Sequence, residues 1–73
     1  MRKEYDMYIV IELQKNEKGV VSNIVSDYAT LAEAESKYYT ILASAAVSNV
    51  PVHSAVIVSD EGFPVNHKCY KHQ

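Results

Sequence analysis

The chain has 73 residues, 48% of them apolar, with 9 Asp and Glu against 7 Lys and Arg and a single Cys. That length makes one domain, 1–73, with a marginal core, since a chain of this size buries only about 60% of the surface it exposes when unfolded. The apolar fraction argues against disorder, a formal charge of -2 disfavours nucleic-acid binding through a broad basic surface, and one Cys excludes an internal disulfide and fits a reducing compartment.

Met1 to Asp6 is charged, and residues 1–5 are expected to be loose. No hydrophobic segment of signal-peptide type follows Arg2 and Lys3, and no run of apolar residues is long enough to span a membrane, so a soluble chain without membrane association is expected. From Met7 the pattern has a period of two. Met7, Ile9, Ile11 and Leu13 point one way and Tyr8, Val10, Glu12 and Gln14 the other, which predicts a half-buried strand. Lys15 to Gly19 reads as a turn, with Gly19 free to take positive φ. Val20 to Tyr28 follows as a second strand and closes a hairpin. Both of its faces carry valine or isoleucine, which predicts a central position or cover on both sides.

Thr30 to Asn49 reads as the helix around which the rest is organised. Thr30 can cap its free N–H groups, with Glu33 reaching back in a capping box. Leu31, Ala34, Tyr38, Ile41, Leu42 and Ala45 form one apolar stripe. Pro51 stops the helix, and Asn49 is placed to take the left-handed conformation past its last turn. Small residues at Ala43, Ser44, Ala45 and Ala46 allow a close approach by the underlying sheet or by a partner helix. Val52 to Ser59 has strong β propensity, Asp60-Glu61-Gly62 forms a turn, and Phe63 to Tyr70 returns as a weaker strand. Pro64 at its beginning suits an edge. Residues 71–73 are expected to be loose. The order predicts an α+β fold: a small ββαββ domain, one helix packed on an antiparallel or mixed three- to four-stranded sheet.

One helix covers one face of such a sheet. The other face, assigned here to Tyr8, Val10, Val21 and Val25, is then left for a second subunit, and Tyr39 and Val47 lie on the outer side of the helix. The expected oligomer interface is accordingly Tyr8, Val10, Tyr39 and Val47. The 6 Tyr residues suit such half-buried and interface positions.

Reactive side chains cluster near the C-terminal end. If the turn sets Ser59 opposite Phe63, Ala55 pairs with His67 and His53 with Cys69, all on one face. His53, His67 and Cys69 are thereby weak metal-ligand candidates, with His72, water or a neighbouring chain as the fourth donor. The plainer account makes Cys69 a small apolar residue and His53 a strand residue with one ring nitrogen hydrogen-bonded. No carboxylate pair is spaced for acid–base work, and no oxyanion site accompanies a Cys69–His53 pair. No catalytic activity and no cofactor are expected. A basic surface from Arg2, Lys3, His67, Lys68, Lys71 and His72, with Tyr8 and Tyr70 for stacking, would form if the fourth strand lay beside the first; charge makes this nucleic-acid reading unfavourable.

From Leu31 to Val65 the residues Ala34-Glu35, Tyr38, Ala43, Ala45-Ala46, Ser48, Pro51-Val52-His53 and Gly62, with the leading strand YIVIELQK, give the chain a general pattern. It resembles a group of short uncharacterised proteins encoded by viruses and proviruses of Gram-positive bacteria. The resemblance implies a bacteriophage or prophage protein in the host cytoplasm or on the virion, with host or virion proteins as partners, and implies no catalytic residue. The resulting expectation is a small oligomerising structural or protein-interaction protein. The alternative is a binder of a nucleotide or other small signalling molecule, in a groove built between subunits from Tyr side chains with Lys37 or Lys68.

Overall fold

The computed structural model describes residues 5–72. The strands are β1 (Tyr8–Lys15), β2 (Val21–Tyr28), β3 (Val52–Ser59) and β4 (Pro64–Lys71), and the helix α1 (Leu31–Ala46) lies between β2 and β3. All three strand pairings are antiparallel, and the sheet order is β2-β1-β3-β4. The chain is therefore the ββαββ domain that its periodicity predicts. Because β2 and β3 both run against β1, they are parallel to each other, and the helix is the crossover that carries the chain over β1.

Each turn is closed by a short polar side chain and a glycine. Asn16 Oδ1 accepts from the N–H groups of Lys18 and Val20 at 2.9 and 3.0 Å, and Gly19 takes φ 83°. Ser59 Oγ likewise accepts from Glu61 and Phe63 at 3.1 and 3.0 Å, with Gly62 at φ 86°.

Glu33 N donates to Thr30 Oγ1 at 3.2 Å, as an N-cap requires. The carboxylate of Glu33 accepts from the Thr30 hydroxyl at 3.2 Å, which ties the first turn together through the side chain. The other end differs from expectation. The helix stops at Ala46, and Asn49 does not take a left-handed conformation, because no residue other than glycine has positive φ among the described residues. The last carbonyls are met by a tightened turn, Val47 N to Ser44 O and Ser48 N to Ala45 O. His72 Nε2 donates to Ala45 O as well, at 2.8 Å.

The core lies between the helix and one face of the two central strands. Ala34, Tyr38, Ile41 and Ala45 are buried on the helix against Tyr8, Val10, Ala55 and Ile57 on the sheet. Leu31 and Leu42 pack at its margin. Alanines at 34, 45 and 55, all fully buried, bring the helix backbone close to the sheet. The small-residue turn thus serves intramolecular packing through Ala45, while Ala43, Ser44 and Ala46 are exposed.

Two sequence expectations are corrected here. Tyr8 and Val10 do not lie on the uncovered face; they are 6% and 1% exposed beneath the helix, and Ile9, Ile11 and Leu13 occupy the open side. The alternation of β1 fixes two faces, and since both are apolar it does not select the inner one. β2 is neither central nor doubly covered. It is an edge strand, and the helix sits mainly over β1 and β3, leaving Val21, Ile24 and Val25 exposed.

Residues 1–4 and 73 of the ends expected to be loose lie outside the described residues. Tyr5 packs on the core, edge-on to Tyr8 at 6.0 Å and stacked on Phe63 at 6.2 Å. His72 is held by its N–H to Pro51 O at 2.7 Å and by its ring on Ala45 O.

Candidate functional site

The structure separates the sequence-predicted metal candidates. Ser59 does pair with Phe63, through a 2.8 Å bond to its carbonyl, as the turn requires. A bulge then follows. Val58 lies opposite Pro64 and Ile57 opposite Asn66, so Val65 is the extra residue. Every later pair shifts by one: His53 faces Tyr70, Ser54 faces Cys69, and Val56 faces His67. His53 therefore sits on the helix side with Asn66, Lys68 and Tyr70, whereas His67 and Cys69 are on the open side. His72 is on the helix side, bound to Ala45. Among the described residues no group of three His, Cys, Asp or Glu side chains could hold a metal.

β4 pairs with β3, and so the basic residues at its end do not lie beside β1. Lys68 rests over the Tyr70 ring at 5.2 Å, and that ring is stacked on His72 at 6.2 Å. Arg2 and Lys3 lie outside the described residues. No pocket opens within a single chain among the described residues. No helix among the described residues is long and apolar enough to cross a membrane.

His53 has a larger structural part than one hydrogen-bonded nitrogen. The residue is 4% exposed, and its ring is bonded on both sides. Nε2 meets Glu12 Oε2 at 2.7 Å and Nδ1 meets Ser48 Oγ at 3.0 Å. A carboxylate oxygen only accepts, so Nε2 carries a proton. Gln14 Nε2 donates to the same Glu12 oxygen at 3.1 Å, and Ser48 Oγ accepts from Val50 N at 3.3 Å. The chain hydroxyl–imidazole–carboxylate has the order of groups found in nucleophilic hydrolases. Its geometry here joins three elements: the loop after α1, β3 and β1. A nucleophile of that kind needs open space and backbone donors around its oxygen. Ser48 Oγ instead takes part in its own turn. The network holds the helix end to the sheet, and all buried side-chain N and O atoms among the described residues have partners.

Sequence reasoning missed this pairing, although a signal for it existed. Glu12 follows Tyr8 and Val10 on the same face of β1. A carboxylate at a core-facing position demands a partner. The register Gln14↔His53 and Glu12↔Ala55 puts His53 diagonal to Glu12.

Tyr38 is a further buried side chain with a polar tip at the helix–sheet seam. Its hydroxyl donates to Asn66 Oδ1 at a long 3.4 Å, and burial raises its phenol above the ordinary 10.0, with the neighbouring Tyr39 and Tyr70 adding to the effect. Tyr39 packs edge-on against Tyr38 at 5.1 Å, remains 55% exposed, and with Val47 lies on the outer surface as expected from the stripe.

What remains is the open face of the sheet. Across its middle run Val25, Ile11 and Val56 in register, flanked by Ile9 and Val58 and by Leu13. The central residues are half-buried by one another and covered by no other element among the described residues. The surface continues onto β2, where Val21 and Val25 are more than half exposed.

No family model matches the chain, and no curated protein or solved structure matches it. Fold and geometry are therefore the basis for a functional reading.

Proposed function

We propose that this chain is a small structural or protein-interaction protein that works as a homo-oligomer, without catalytic activity. The observation supporting it is the apolar open face, Ile9, Ile11, Leu13, Val25, Val56 and Val58, on a domain whose helix α1 is committed to the opposite side. An exposed, contiguous apolar face that nothing in the same chain covers marks a contact surface. A virus or provirus origin, with action in the host cytoplasm or on the virion and with host or virion proteins as further partners, accords with the resemblance described above. Nucleic acid is not a favoured partner, given the net charge of -2.

Sedimentation equilibrium at micromolar concentration tests the reading. A concentration-dependent mass above that of one chain is expected, and Ile11→Lys, at the centre of the face, should return the mass toward the monomer with the fold retained. A strict monomer for the unaltered chain overturns the proposal.

A further inference from the structure

The two edges of the sheet are unlike. β4 has the features that prevent edge pairing: Pro64 at its start, a bulge at Val65, and Lys68 and Lys71 along its length. β2 has none of them. It is 8 residues long, contains no Lys, Arg or Pro, pairs with β1 in unbroken register, and has no segment on its outer side among the described residues. Both of its faces carry exposed apolar side chains, Val21 and Val25 at 55% and 57% on one and Ile24 at 60% on the other with Val20, just before the strand, also at 60%, set between the polar Ser22, Asn23, Ser26 and Asp27.

The hydrogen-bond phase of β2 follows from the ladders. Asn16 N donates to Val20 O at one end of β1, and Asp60 N donates to Met7 O on the β3 side. Antiparallel bonding alternates, so even-numbered residues of β1 face β2 and odd-numbered residues face β3. In β2 the even-numbered residues are therefore spent on β1. The N–H and C=O groups of Val21, Asn23, Val25 and Asp27 point outward, a row of donors and acceptors bordered by valine and isoleucine.

We infer that β2 is a self-recognition edge: a second copy of this chain adds its own β2 antiparallel to it, about a two-fold axis through Ile24, to give a continuous eight-stranded sheet. This rests on the oligomer reading above, names the partner, and adds a contact along the sheet edge distinct from the open face that Ile11→Lys probes. A two-fold axis perpendicular to the sheet keeps both helices on one side. With Ile24 on the axis the pairing runs from Val21 to Asp27, close to the full strand. On the helix side Ile24 packs on its copy, Ser22 lies opposite Ser26, and Val20 lies opposite Tyr28. On the open side Asn23 lies opposite Val25 and exchanges backbone bonds with it. The one charge of β2, Asp27, faces the partner's Val21 end, so the two carboxylates stand at opposite ends of the ladder, about 20 Å apart at the usual rise per residue. No like charges oppose each other. The open faces of the two copies join into one wider surface.

Two variants test this. In a Cys69→Ser background, Ile24→Cys places a thiol on the axis in a non-hydrogen-bonded pair, the closer of the two antiparallel spacings. Its exposed position leaves the fold intact. Under mild oxidant it is expected to form a disulfide dimer at least tenfold faster than Thr40→Cys, an exposed helix control. Asn23→Pro removes an outward N–H and no bond to β1 and leaves the apolar residues of the open face unchanged; it is expected to keep the far-ultraviolet spectrum of the fold while raising the dimer dissociation constant at least tenfold. Equal cross-linking of the two cysteine variants, or a folded Asn23→Pro protein with an unchanged dissociation constant, overturns the β2 pairing and leaves oligomerisation through another surface standing. A monomeric unaltered chain overturns both.

Discussion

Replacing His53 with alanine is the sharpest probe of what holds the helix to the sheet. The substitution removes the ring of a residue that is 4% exposed, the 2.7 Å bond to Glu12 and the 3.0 Å bond to Ser48. A hydrogen bond to a charged group contributes about 1.5–3 kcal/mol, and one to a neutral hydroxyl about 1 kcal/mol. The Glu12 side chain is 15% exposed and keeps Gln14 as a donor, so water and that amide recover part of the loss. The expected cost is about 3 kcal/mol, including the ring's packing. For a domain of 73 residues the total stability is about 4–11 kcal/mol, so the loss is a large fraction of it. It corresponds to a fall of roughly 12–24 °C in Tm. Urea unfolding at one fixed protein concentration, followed by circular dichroism, measures it, with Glu12→Gln and the double variant completing a cycle. A cost below about 1 kcal/mol, or additivity of the two single changes, would refute the role assigned to the pair.

Three further outcomes follow from the same geometry. Thr30→Ala removes the N-cap oxygen and should cost about 1 kcal/mol in urea unfolding, whereas Thr40→Ala, on the exposed side of the same helix, should cost less than half of that. Gly62→Ala meets no atom within 4 Å, so its cost comes from the backbone at φ +86° alone; about 1–2 kcal/mol is expected, and a neutral result would show that the turn relaxes. The raised phenol of Tyr38 makes folding stability depend on alkaline pH. Its contribution is complete below the unfolded value of about 10 and is lost as pH rises through the higher folded value, because the unfolded phenol ionises first. Tyr38→Phe should therefore lose less stability than the unaltered protein between pH 9 and about 11, and parallel pH profiles for the two proteins would contradict the assignment.

Much of the architecture was legible from residue order. Thr30 and Glu33 mark the helix start, the stripe Ala34, Tyr38, Ile41 and Ala45 marks its buried side, and Gly19 and Gly62 mark turns that demand positive φ. These features depend on residues within one helical turn or one hairpin of each other. Capping, periodicity and turn chemistry act at that range, and the chain states them directly. The helix end was misread at Asn49 because a tertiary donor, His72, supplies one of the bonds that a left-handed cap would otherwise arrange.

The site-level expectations depended on longer range, and there the local pattern was insufficient. One extra residue, Val65, turned His67 and Cys69 to the open face while His53 stayed under the helix. Nothing in the Phe63 to Tyr70 segment announces the bulge beyond a proline at its start. The His53–Glu12 contact joins residues 41 apart and needs the β1–β3 register.

The sequence by itself determined which segments are helix and strand, where they turn, and that more apolar surface exists than one helix can cover. Only the tertiary structure decided which face of β1 is inner, since Tyr8 with Val10 and Ile9 with Ile11 are equally suited to burial until the helix chooses a side. It also decided that β2 is an edge. A helical crossover places β3 against the free side of β1, so a strand with apolar side chains on both faces is left with one neighbour and an open row of backbone donors and acceptors.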